Sequence, residues 1–487
     1  MAFFLTIDLG TSSLKAALYN DSGYLLACSV ESYLLSYPHT GWVEQSPEDW
    51  WNACCLACKR ILAENKVTIR AVCVSGQAPA CVPINLQGEP LRPAIIWMDR
   101  RSVSQADRFK LNQCLQQAAA QGLNTFDSYF GGFKWLWFQE YEPQLYRQTW
   151  KILQANGYLI HKLTGTVITD PGHAGICTPF FSDELGGWSE TLCDMLQFDL
   201  DKLPDILPVT SVIGQVSRSS RDETLIPAGT PVIAGAPDFL CACLGAGVLD
   251  NQSAALMLGT AGNLMFPSAA KIDHRMLNTR FVNGDLISTG GVLAGGAISW
   301  FCKLVNVNDP RILEEEARQV QPGSEGLLFL PYLLGERSPI WDPNARGVFM
   351  GLNSSHTRAH LYRAVLEGVA FSFLQMKEIM AEQGICPADV IAIDGGARSS
   401  LWRQILADAL QLPVRWRNNN AGTALGCAFL AGMGSGTFND FSQILQWLEP
   451  TIDTLPDQNN AERYQLHYKA FLDLYAALKT QFKRLAL

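Results

Sequence analysis

Two acidic residues of the chain each end an apolar run, at a point where a strand is expected to give way to a turn. Asp8 ends "LTID" and is followed by a glycine turn and Lys15, whereas Asp238 ends "PVIAGAPD". The turn carries three hydroxyl residues, Thr11, Ser12 and Ser13. Backbone N–H groups and hydroxyls in such a turn can hold phosphate oxygens, and a carboxylate can accept the proton of a hydroxyl. Each acid also has a structural alternative, because Asp238 would serve as a helix N-cap and Asp8 would satisfy N–H groups of its turn.

Glycine turns related to the first one recur in the second half of the chain. "LTIDLGTSS" near the start resembles "IAIDGGARSS" at 391–400, and "LMLGTAGN" supplies a third turn that combines glycine with a hydroxyl. Each turn is weak evidence alone, but two similar halves that face each other across a cleft would produce this repetition. Neither G-x-x-x-x-G-K-[ST] nor a complete G-x-G-x-x-G occurs, so a P-loop enzyme and a Rossmann dehydrogenase are not favoured.

Length and composition restrict the class of protein. A chain of 487 residues is expected to form two or three domains, and 48% hydrophobic with 17% charged residues indicates a globular protein. A net charge of −9 without a basic run argues against a nucleic-acid partner. The most apolar segment, "GGVLAGGAISWF", is shorter than the roughly 20 residues that span a bilayer. We therefore expect a cytoplasmic protein that does not bind membranes.

Several other patterns are better explained by packing than by chemistry. Cys55 and Cys58 form a CxxC without a second pair, and their surroundings predict an amphipathic helix. His356 and His360 stand four apart but lack the glutamate of a metalloprotease, so we expect the start of a surface helix. The aromatic run "KWLWF" favours a core helix over a sugar-stacking platform, and "EEEAR" favours a solvated helix face.

Apolar β-type runs alternate with helical patterns, which predicts the α/β class. The strand candidates are "FFLTID", "YLLACSVES", "AVCVSG", "PVIAGAP", "AALMLGT", "DLISTGG", "GLLFLPYL" and "VIAIDGG". The helix candidates are "PEDWWNACCLACKRILAEN", "KWLWFQEYEPQLYRQ", "DPRILEEEARQV", the segment 356–384 and "SSLWRQILADALQL". No low-complexity linker is present, so the interruption "GAGVLDNQ" places a domain boundary between residues 1–247 and 248–487.

Taken together, the motifs of this chain resemble those of the FGGY family of carbohydrate kinases, and most of all its xylulokinase group. The resemblance covers nearly the whole length, and it is most specific in "PYLLGERSPIWDPNARG" and "DGGARSSLWRQILAD". Further matching segments are "TIDLGTSSLKAALYNDSG", "GWVEQSPEDWW", "IIWMDRRS", "GTPVIAGAPD", "MLGTAGN", "RAVLEGVAFSF" and "GTALGCAFLAG".

The resemblance implies an α/β fold of two actin-like domains, related to the ribonuclease H fold, with an interdomain cleft in which sugar and ATP meet. It implies transfer of the γ-phosphoryl of MgATP to a hydroxyl of a small sugar, with a ketopentose such as D-xylulose expected. Residues 1–247 would bind the sugar and supply the catalytic base, and residues 248–487 would bind the nucleotide. ATP and Mg²⁺ are the expected cofactors. The oligomeric state is left open, with a homodimer as one option.

The resemblance also assigns roles to individual residues. Asp238 matches the general base, and Asp8 matches the carboxylate that faces the magnesium ion and the transferring phosphate. The implied ATP- and phosphate-binding residues are Thr11, Ser12, Ser13, Lys15, Gly259, Thr260, Gly295, Gly396 and Ser400. The implied substrate-binding residues are Gln77, Ala78, Tyr129, Asp238 and Phe239. Trp97 and Asp99 would lie close to the substrate or serve as packing and as an ion pair.

The sugar side departs from the family pattern. Xylulokinases carry Met-His-Gly after the glutamine of this turn and glycerol kinases carry Arg-Glu, whereas this chain reads "SGQAPACVP". Ala78 and Pro79 offer no polar side chain to a sugar hydroxyl, which changes the substrates that fit. Three alternatives therefore stay open: a kinase for another ketose or polyol of the ribulose, glycerol or gluconate type, a non-enzymatic sugar sensor, and an actin-like filament or chaperone ATPase.

Overall fold

A computed structural model describes residues 2–268, 273–418 and 422–485 of the chain. The strands are β1 (Phe3–Leu9), β2 (Ser13–Asn20), β3 (Leu25–Ser32), β4 (Glu44–Gln45), β5 (Ile69–Gly76), β6 (Val82–Ile84), β7 (Ala94–Ile95), β8 (Lys151–Leu153), β9 (Ile168–Thr169), β10 (Phe181–Ser182), β11 (Gly187–Trp188), β12 (Asp205–Ile206), β13 (Val212–Gln215), β14 (Pro231–Ile233), β15 (Ser253–Leu258), β16 (Ala261–Ser268), β17 (Leu277–Arg280), β18 (Leu286–Leu293), β19 (Leu328–Leu330), β20 (Val348–Met350), β21 (Asp389–Ile393), β22 (Val414–Trp416) and β23 (Ile452–Thr454).

The helices alternate with these strands along the chain. They are α1 (Pro47–Glu64), α2 (Val103–Leu111), α3 (Gln113–Ala118), α4 (Gly131–Tyr141), α5 (Pro143–Gln148), α6 (Ala155–Thr164), α7 (Pro171–Gly175), α8 (Glu190–Met195), α9 (Arg218–Thr224), α10 (Asp238–Gly245), α11 (Gly295–Leu304), α12 (Pro310–Ala317), α13 (Arg358–Glu382), α14 (Ser400–Leu410), α15 (Thr423–Gly434) and α16 (Gln458–Leu485). Short 3₁₀ turns lie at Leu200–Lys202, Ser324–Gly326, Gly395–Arg398 and Phe441–Trp447.

The chain divides into two compact units that do not follow the sequence linearly. The first unit consists of Met1–Leu249, Asn278–Leu286 and Ala421–Leu448. The second consists of Asp250–Leu277, Ile287–Asn420 and Glu449–Leu487. The first change of unit, after Leu249, lies two residues beyond the sequence-based boundary, but a single boundary cannot describe the two later segments that return to the first unit. The separate functions assigned to residues 1–247 and 248–487 stay predictions.

The first unit contains a twisted sheet with strand order β13-β14-β5-β1-β2-β3. Strand β1 pairs with β2 in antiparallel and with β5 in parallel, and β14 pairs with β5 in parallel. Successive side chains of a strand point to opposite faces. Residues Leu5, Ile7 and Leu9 of β1 accordingly share one hydrophobic cluster with Trp50 and Cys58 of α1.

Helix α1 shows how the local sequence defines an element of this unit. The Ser46 side chain caps the helix by accepting a hydrogen bond from the Asp49 N–H at 3.2 Å, and Pro47 occupies the first turn, where no N–H is needed. Cys55 and Cys58 are buried within it, so the packing interpretation of the CxxC is confirmed.

The opposite face of the same sheet is covered by α15, which arrives from the far end of the chain. Helix α15 contacts β1, β5 and α10, and every residue from Ala424 to Gly432 is buried. At Gly426 the two helices approach so closely that a Cβ atom would lie 1.9 Å from the Cys241 carbonyl oxygen of α10. Only glycine fits this crossing without displacing the backbone of α10.

The second unit repeats the sheet pattern of the first. From β18 its strand order runs β18-β16-β15-β21-β22-β23. Strand β15 forms an antiparallel hairpin with β16 and pairs in parallel with β21, which pairs in parallel with β22. Helix α13 supplies much of the hydrophobic cluster of this unit, with Val365, Val369 and Phe373 all buried.

The shared sheet pattern shows which of the repeated turns are structural counterparts of one another. "LTIDLGTSS" lies on the hairpin β1–β2, and the strand pair in the same sheet position of the second unit is β15–β16, which carries "LMLGTAGN". "IAIDGGARSS" lies instead on β21, the counterpart of β5. The two segments with the more similar sequences, "LTIDLGTSS" and "IAIDGGARSS", therefore occupy different positions in their sheets. The structural counterpart of "LTIDLGTSS" is the less similar "LMLGTAGN".

Other predicted elements differ from the structure at their ends. "KWLWFQEYEPQLYRQ" is interrupted after Tyr141, because Pro143 lacks an N–H and begins a new helix, α5. The aromatic part is confirmed as core, with Trp135 and Trp137 at 1% and 5% exposure. His360 lies in the first turn of α13, which confirms the predicted helix start. Across the described ranges, no helix is both long and apolar enough to cross a bilayer.

Candidate active site

The first acidic residue, Asp8, lies near the carboxyl end of β1, in the centre of the first sheet. Lys15 of β2 is its direct cross-strand partner, and Ser75 of β5 donates a hydrogen bond from Oγ to Asp8 Oδ1 at 3.0 Å. The turn that follows closes through a bond from the Gly10 N–H to the Ser13 carbonyl at 3.1 Å. The turn is thus closed by a backbone hydrogen bond, and Asp8 lies at the base of a hydroxyl-rich hairpin.

Side chains from three other segments hold this hairpin (residues 10–13), which we call the phosphate hairpin after its predicted role. The Tyr33 hydroxyl donates to the Gly10 carbonyl at 2.5 Å. The Gln45 amide donates to the Thr11 carbonyl at 2.7 Å, and the Trp97 indole donates to the Thr11 hydroxyl at 2.9 Å. The backbone and one hydroxyl of the hairpin are therefore fixed by distant parts of the chain.

The second acidic residue, Asp238, is the first residue of α10. The N-cap of that helix is Pro237, which makes no side-chain cap bond, and Asp238 Oδ1 instead accepts the neighbouring Phe239 N–H at 2.7 Å. The structural alternative in which Asp238 serves as the N-cap is therefore not what the structure shows.

The two acids share one edge of the sheet. Pro237 bridges in parallel to Gly76, and Gly76 pairs with Leu9, the residue after Asp8. Adjacent strands lie about 4.8 Å apart, so this row of three residues spans roughly 10 Å. Burial, followed by the negative charges of Asp8 and Asp238, raises the pKa of the Tyr33 phenol well above its ordinary value. The negative charges of both carboxylates therefore contribute to the raised pKa of the same phenol, that of Tyr33.

The turn at residues 77–79, which we call the sugar-side turn after its predicted role, follows β5, between β1, which carries Asp8, and the segment that leads to Asp238. The Gln77 N–H donates to the Leu9 carbonyl at 2.8 Å, and the Tyr129 hydroxyl donates to the Ala78 carbonyl at 3.0 Å. Gln77, Ala78, Tyr129 and Phe239 are all buried. The structure thus brings the predicted substrate-binding residues of the first unit to one edge of its sheet.

Trp97 and Asp99, the two undecided neighbours of this turn, have separate positions. Trp97 reaches the phosphate hairpin through Thr11. Asp99 is completely buried, accepts the Val43 N–H at 2.6 Å and forms a salt bridge with Arg101 at 2.7 Å. Of the two interpretations of Asp99, the structure shows the ion pair.

A buried lysine supports the loop that carries Tyr129. Lys134 of α4 has no exposed surface, and its ammonium group donates to the Asp99 carbonyl at 2.9 Å and to the Ser128 carbonyl at 2.7 Å. Burial lowers the pKa of Lys134 to about 7, with the charge of Asp99 opposing that effect. The side chain is therefore partly neutral in the folded protein near neutral pH.

We expect the stability of the protein to depend on pH through Lys134. Between its folded pKa of about 7 and its ordinary value of 10.5, the unfolded chain binds a proton that the folded chain lacks. Stability therefore rises with pH in this window, by up to about 1.4 kcal/mol per pH unit. Urea unfolding at pH 7, 8 and 9 of the wild-type protein and of Lys134→Met tests this, because the variant should lack that slope. Parallel pH profiles would contradict the prediction.

In the second unit, the turn Gly259–Thr260 contacts the start of α11. The Gly295 N–H donates to the Gly259 carbonyl, and the Gly296 N–H donates to the Thr260 carbonyl, both at 2.9 Å. A Cβ on Gly295 would lie 2.6 Å from the Gly259 carbonyl oxygen, whereas the nearest described atom to a Cβ on Gly259 is the Ala261 carbonyl oxygen at 3.4 Å. Close backbone packing therefore explains the glycine at 295.

The "DGGARSS" turn lies beside the same residues. A Cβ on Gly396 would approach the Leu258 carbonyl oxygen to 2.9 Å, and the Asp394 carboxylate lies 3.5 Å from the Cβ position of Gly259. Asp394 has φ 70° and ψ −171°, a conformation that otherwise belongs to glycine. Ser400 is exposed, and its hydroxyl accepts a hydrogen bond from Arg318 at 2.7 Å. Gly259, Thr260, Gly295 and Gly396 are thus brought together, with Ser400 at the start of α14.

Sequence reasoning missed two residues of the first unit, Tyr33 and Gln45. Tyr33 follows an edge strand, and Gln45 lies in "GWVEQSPEDWW", a segment in which the two tryptophans and the helix start are more conspicuous. Their partners are 23 and 34 residues away in sequence. No local pattern could have indicated these contacts.

Comparison with known proteins supports a single family. The N-terminal domain model of the FGGY family of carbohydrate kinases matches residues 3–245, and the C-terminal domain model matches residues 254–435. The xylulose kinase of Staphylococcus xylosus is 30% identical over 98% of this chain and 100% of its own length. That of Escherichia coli K12 is 31% identical over 98% of this chain and 99% of its own. A gluconokinase of Bacillus subtilis is 25% identical over 100% of this chain and 98% of its own.

The structural comparison agrees with the sequence comparison. The ligand-bound xylulose kinase of Lactobacillus acidophilus superposes with a TM-score of 0.93 at 25% identity, covering 100% of both chains. The predicted α/β fold of two actin-like domains is confirmed. The matched domain models cover most of the chain, and the relatives match over almost their entire length. The chain belongs to the FGGY family of carbohydrate kinases.

Proposed function

We propose that this carbohydrate kinase transfers the γ-phosphoryl group of MgATP to a hydroxyl of a ketopentose such as D-xylulose. The observation that carries the proposal is the placement of Asp8 and Asp238 at one edge of one sheet, where β5 lies between Asp8 on β1 and the Pro237 that precedes Asp238. Phosphoryl transfer needs one group to receive the proton of the acceptor hydroxyl and others to steady the charge of the transferring group. The two carboxylates would divide these tasks between them.

Asp238 is proposed as the general base. In this role its carboxylate accepts the hydroxyl proton while the sugar oxygen forms a bond to the γ-phosphorus and the bond to the β,γ-bridging oxygen breaks, releasing ADP. Phe239, whose N–H already binds Asp238 Oδ1, would help to orient the carboxylate. Gln77, Ala78 and Tyr129 would surround the sugar from the neighbouring turn.

Asp8, the phosphate hairpin and Lys15 are proposed to meet the phosphates. Lys15 stands directly across from Asp8 and would neutralise charge on the transferring group, with Thr11, Ser12 and Ser13 as hydrogen-bond donors. In the second unit, Gly259, Thr260, Gly295, Gly396 and Ser400 are proposed to approach the nucleotide.

The residues present fit a magnesium ion delivered with ATP. Among the residues that the structure describes, no cluster of three or more His, Cys, Asp or Glu side chains is placed to hold a metal. Magnesium is commonly held by one or two carboxylates together with substrate phosphates and water, which matches the single acid Asp8 beside the phosphate hairpin. Bound there, the ion would neutralise negative charge on the phosphates.

The identity of the sugar depends on the turn at 77–79. Where xylulokinases carry Met-His-Gly, Ala78 stands in place of the methionine and Pro79 in place of the histidine, so this turn offers no polar side chain at residue 79 to the acceptor sugar. Ketopentoses remain the proposed class because xylulose kinases are the relatives at about 30% identity. Another ketose, or a polyol or gluconate, is the alternative that the changed turn favours.

A substrate screen tests the proposal. Purified protein with MgATP is mixed with D-xylulose, other pentuloses, hexuloses, glycerol and gluconate, and ADP release is measured by a coupled assay. We expect the highest kcat/KM with a ketopentose. A clear preference for gluconate or glycerol would reassign the substrate, and the absence of ADP above background with every compound would contradict the kinase proposal itself. A cytoplasmic location is proposed as well, and light scattering of the purified protein distinguishes the homodimer, which is one open option, from other oligomeric states.

A further inference from the structure

Two buried glutamines link the sugar-side turn to the phosphate hairpin. The Gln77 amide donates from Nε2 to Gln45 Oε1 at 2.7 Å, and Gln45 donates from Nε2 to the Thr11 carbonyl at 2.7 Å. The exposed fractions of Gln77 and Gln45 are only 1% and 2%. A continuous hydrogen-bonded path thus runs from residue 77 to residue 11 within the first unit.

The carbonyl of Thr11 fixes the orientation of both amides. A carbonyl oxygen only accepts, so Gln45 must present its NH₂ group to Thr11 and its own Oε1 to Gln77. Gln77 must then present its NH₂ group to Gln45. This leaves Gln77 Oε1 buried, and that oxygen has no hydrogen-bond partner in the described part of the chain. The path therefore ends in a hydrogen-bond acceptor of fixed direction.

The other contacts of these residues place that acceptor, Gln77 Oε1, within the sugar-side turn. Gln77 precedes Ala78, whose carbonyl is bound by Tyr129, and follows the Gly76 that pairs with Pro237. Gln45 lies on β4, which pairs with β7, and Trp97 two residues after β7 holds the Thr11 hydroxyl. Thr11 thus receives a donor at its carbonyl and another at its hydroxyl.

We propose that Gln45 is a positioning residue that couples the sugar-side turn to the phosphate hairpin. In this arrangement a sugar hydroxyl donates to Gln77 Oε1, and Gln45 transmits the position of Gln77 to the Thr11 carbonyl. Polar chains of this kind reinforce one another when every member is satisfied. The inference rests on the proposed function, since it requires a sugar at one end of the path and ATP phosphates at the other.

The variant Gln45→Glu tests the hydrogen bond from Gln45 to the Thr11 carbonyl separately from the one that Gln45 accepts from Gln77. The introduced carboxyl group has nearly the same shape and still accepts from Gln77. When ionised it cannot donate to the Thr11 carbonyl, and when protonated it can. We therefore expect kcat to fall about 10²-fold relative to wild type at alkaline pH, where the carboxyl group is ionised, and to recover as the pH is lowered. Because Gln77 keeps its orientation, the KM for the sugar should stay within about twofold of wild type.

The matched control is Gln154→Glu. Gln154 is equally buried, donates to Cys177 Sγ at 3.2 Å and accepts the Ala80 N–H at 2.8 Å, but it does not contact Thr11. Thermal unfolding followed by circular dichroism gives the folded fraction of each variant at each pH. We expect Gln154→Glu to lose activity only in proportion to its folded fraction.

The possible results separate the coupling from the function on which it rests. A ratio of wild-type to Gln45→Glu kcat that is independent of pH would overturn the coupling while leaving an active kinase. The same holds if the loss merely follows the folded fraction, as in the control. An inactive wild-type protein in the full sugar screen would overturn the proposed function and the coupling together. A pH-dependent ratio with unchanged sugar KM supports both.

Discussion

Replacing Asp238 with asparagine is expected to lower turnover by roughly 10²–10⁴-fold while leaving ATP binding largely intact. The amide has the same shape as the carboxylate and can still accept the Phe239 N–H that now reaches Oδ1 at 2.7 Å. It cannot accept the hydroxyl proton, so the sugar oxygen would have to attack as a neutral, weaker nucleophile. Steady-state ADP release with saturating sugar measures the first effect, and calorimetric titration with MgATP measures the second.

The control for this variant is Asp222→Asn, a charge-neutralising change at an exposed position of the same unit. The Asp222 side chain is 72% exposed, and its one ion pair within the described ranges is with Arg221 of its own helix, at 3.5 Å. Turnover of this control should match the wild type. If Asp238→Asn retained more than about a tenth of wild-type turnover, Asp238 would not be the base.

Replacing Gly426 with alanine is expected to destabilise the first unit by about 3 kcal/mol or more, because the new methyl group would meet a backbone atom. The Cβ would lie 1.9 Å from the Cys241 carbonyl oxygen, and this oxygen cannot move aside as a flexible side chain can. Helix α10 would have to shift away from α15. Since α10 begins at Asp238, the carboxylate that we propose as the general base should lose its position as well.

The urea-unfolding midpoint and the turnover of Gly426→Ala should therefore both be lower than those of the wild type. Gly187→Ala serves as the control, since the nearest described atom to its new Cβ is the Leu185 carbonyl oxygen at an ordinary 3.8 Å, and its φ is not positive. An unfolding midpoint of Gly426→Ala equal to that of the control would show that the two helices can separate without cost, contrary to the packing described.

Helix α15 also shows where sequence-based prediction reaches its limit. The strands β1, β5 and β15 and the helices α1 and α13 follow from apolar runs, caps and periodicity. "TALGCAFLAGMG" was not among the helix candidates because it is apolar on every side, and a helix buried all round has no amphipathic period to detect. Gly426, a residue type that weakens a helix locally, is required by the crossing with α10.

The candidate site likewise contains some residues that could be predicted from the sequence and others that could not. Asp8, Asp238 and the glycine turns could be predicted because each combines a strand end with a reactive or flexible residue in adjacent positions. The supports of the phosphate hairpin could not, because Gln45 and Trp97 bind Thr11 across 34 and 86 residues of sequence. Such contacts depend on the paired edges of β4 and β7, which are only two residues long. The assignment of Asp99 required the same long-range information, since Val43 is one of its partners.

The return of residues 421–448 to the first unit has a consequence for how the protein is made. A nascent chain that ends at Leu249 already contains both acids, but the sheet face that α15 covers is still exposed to water. At 5–20 residues per second, the ribosome needs about 10–40 s to synthesise the 199 residues from there to Leu448. During that interval the apolar face of β1 and β5 is available to chaperones or to other nascent chains. Chains truncated at the end of the N-terminal family domain should therefore aggregate, whereas supplying the α15 segment as a separate peptide should keep them in solution.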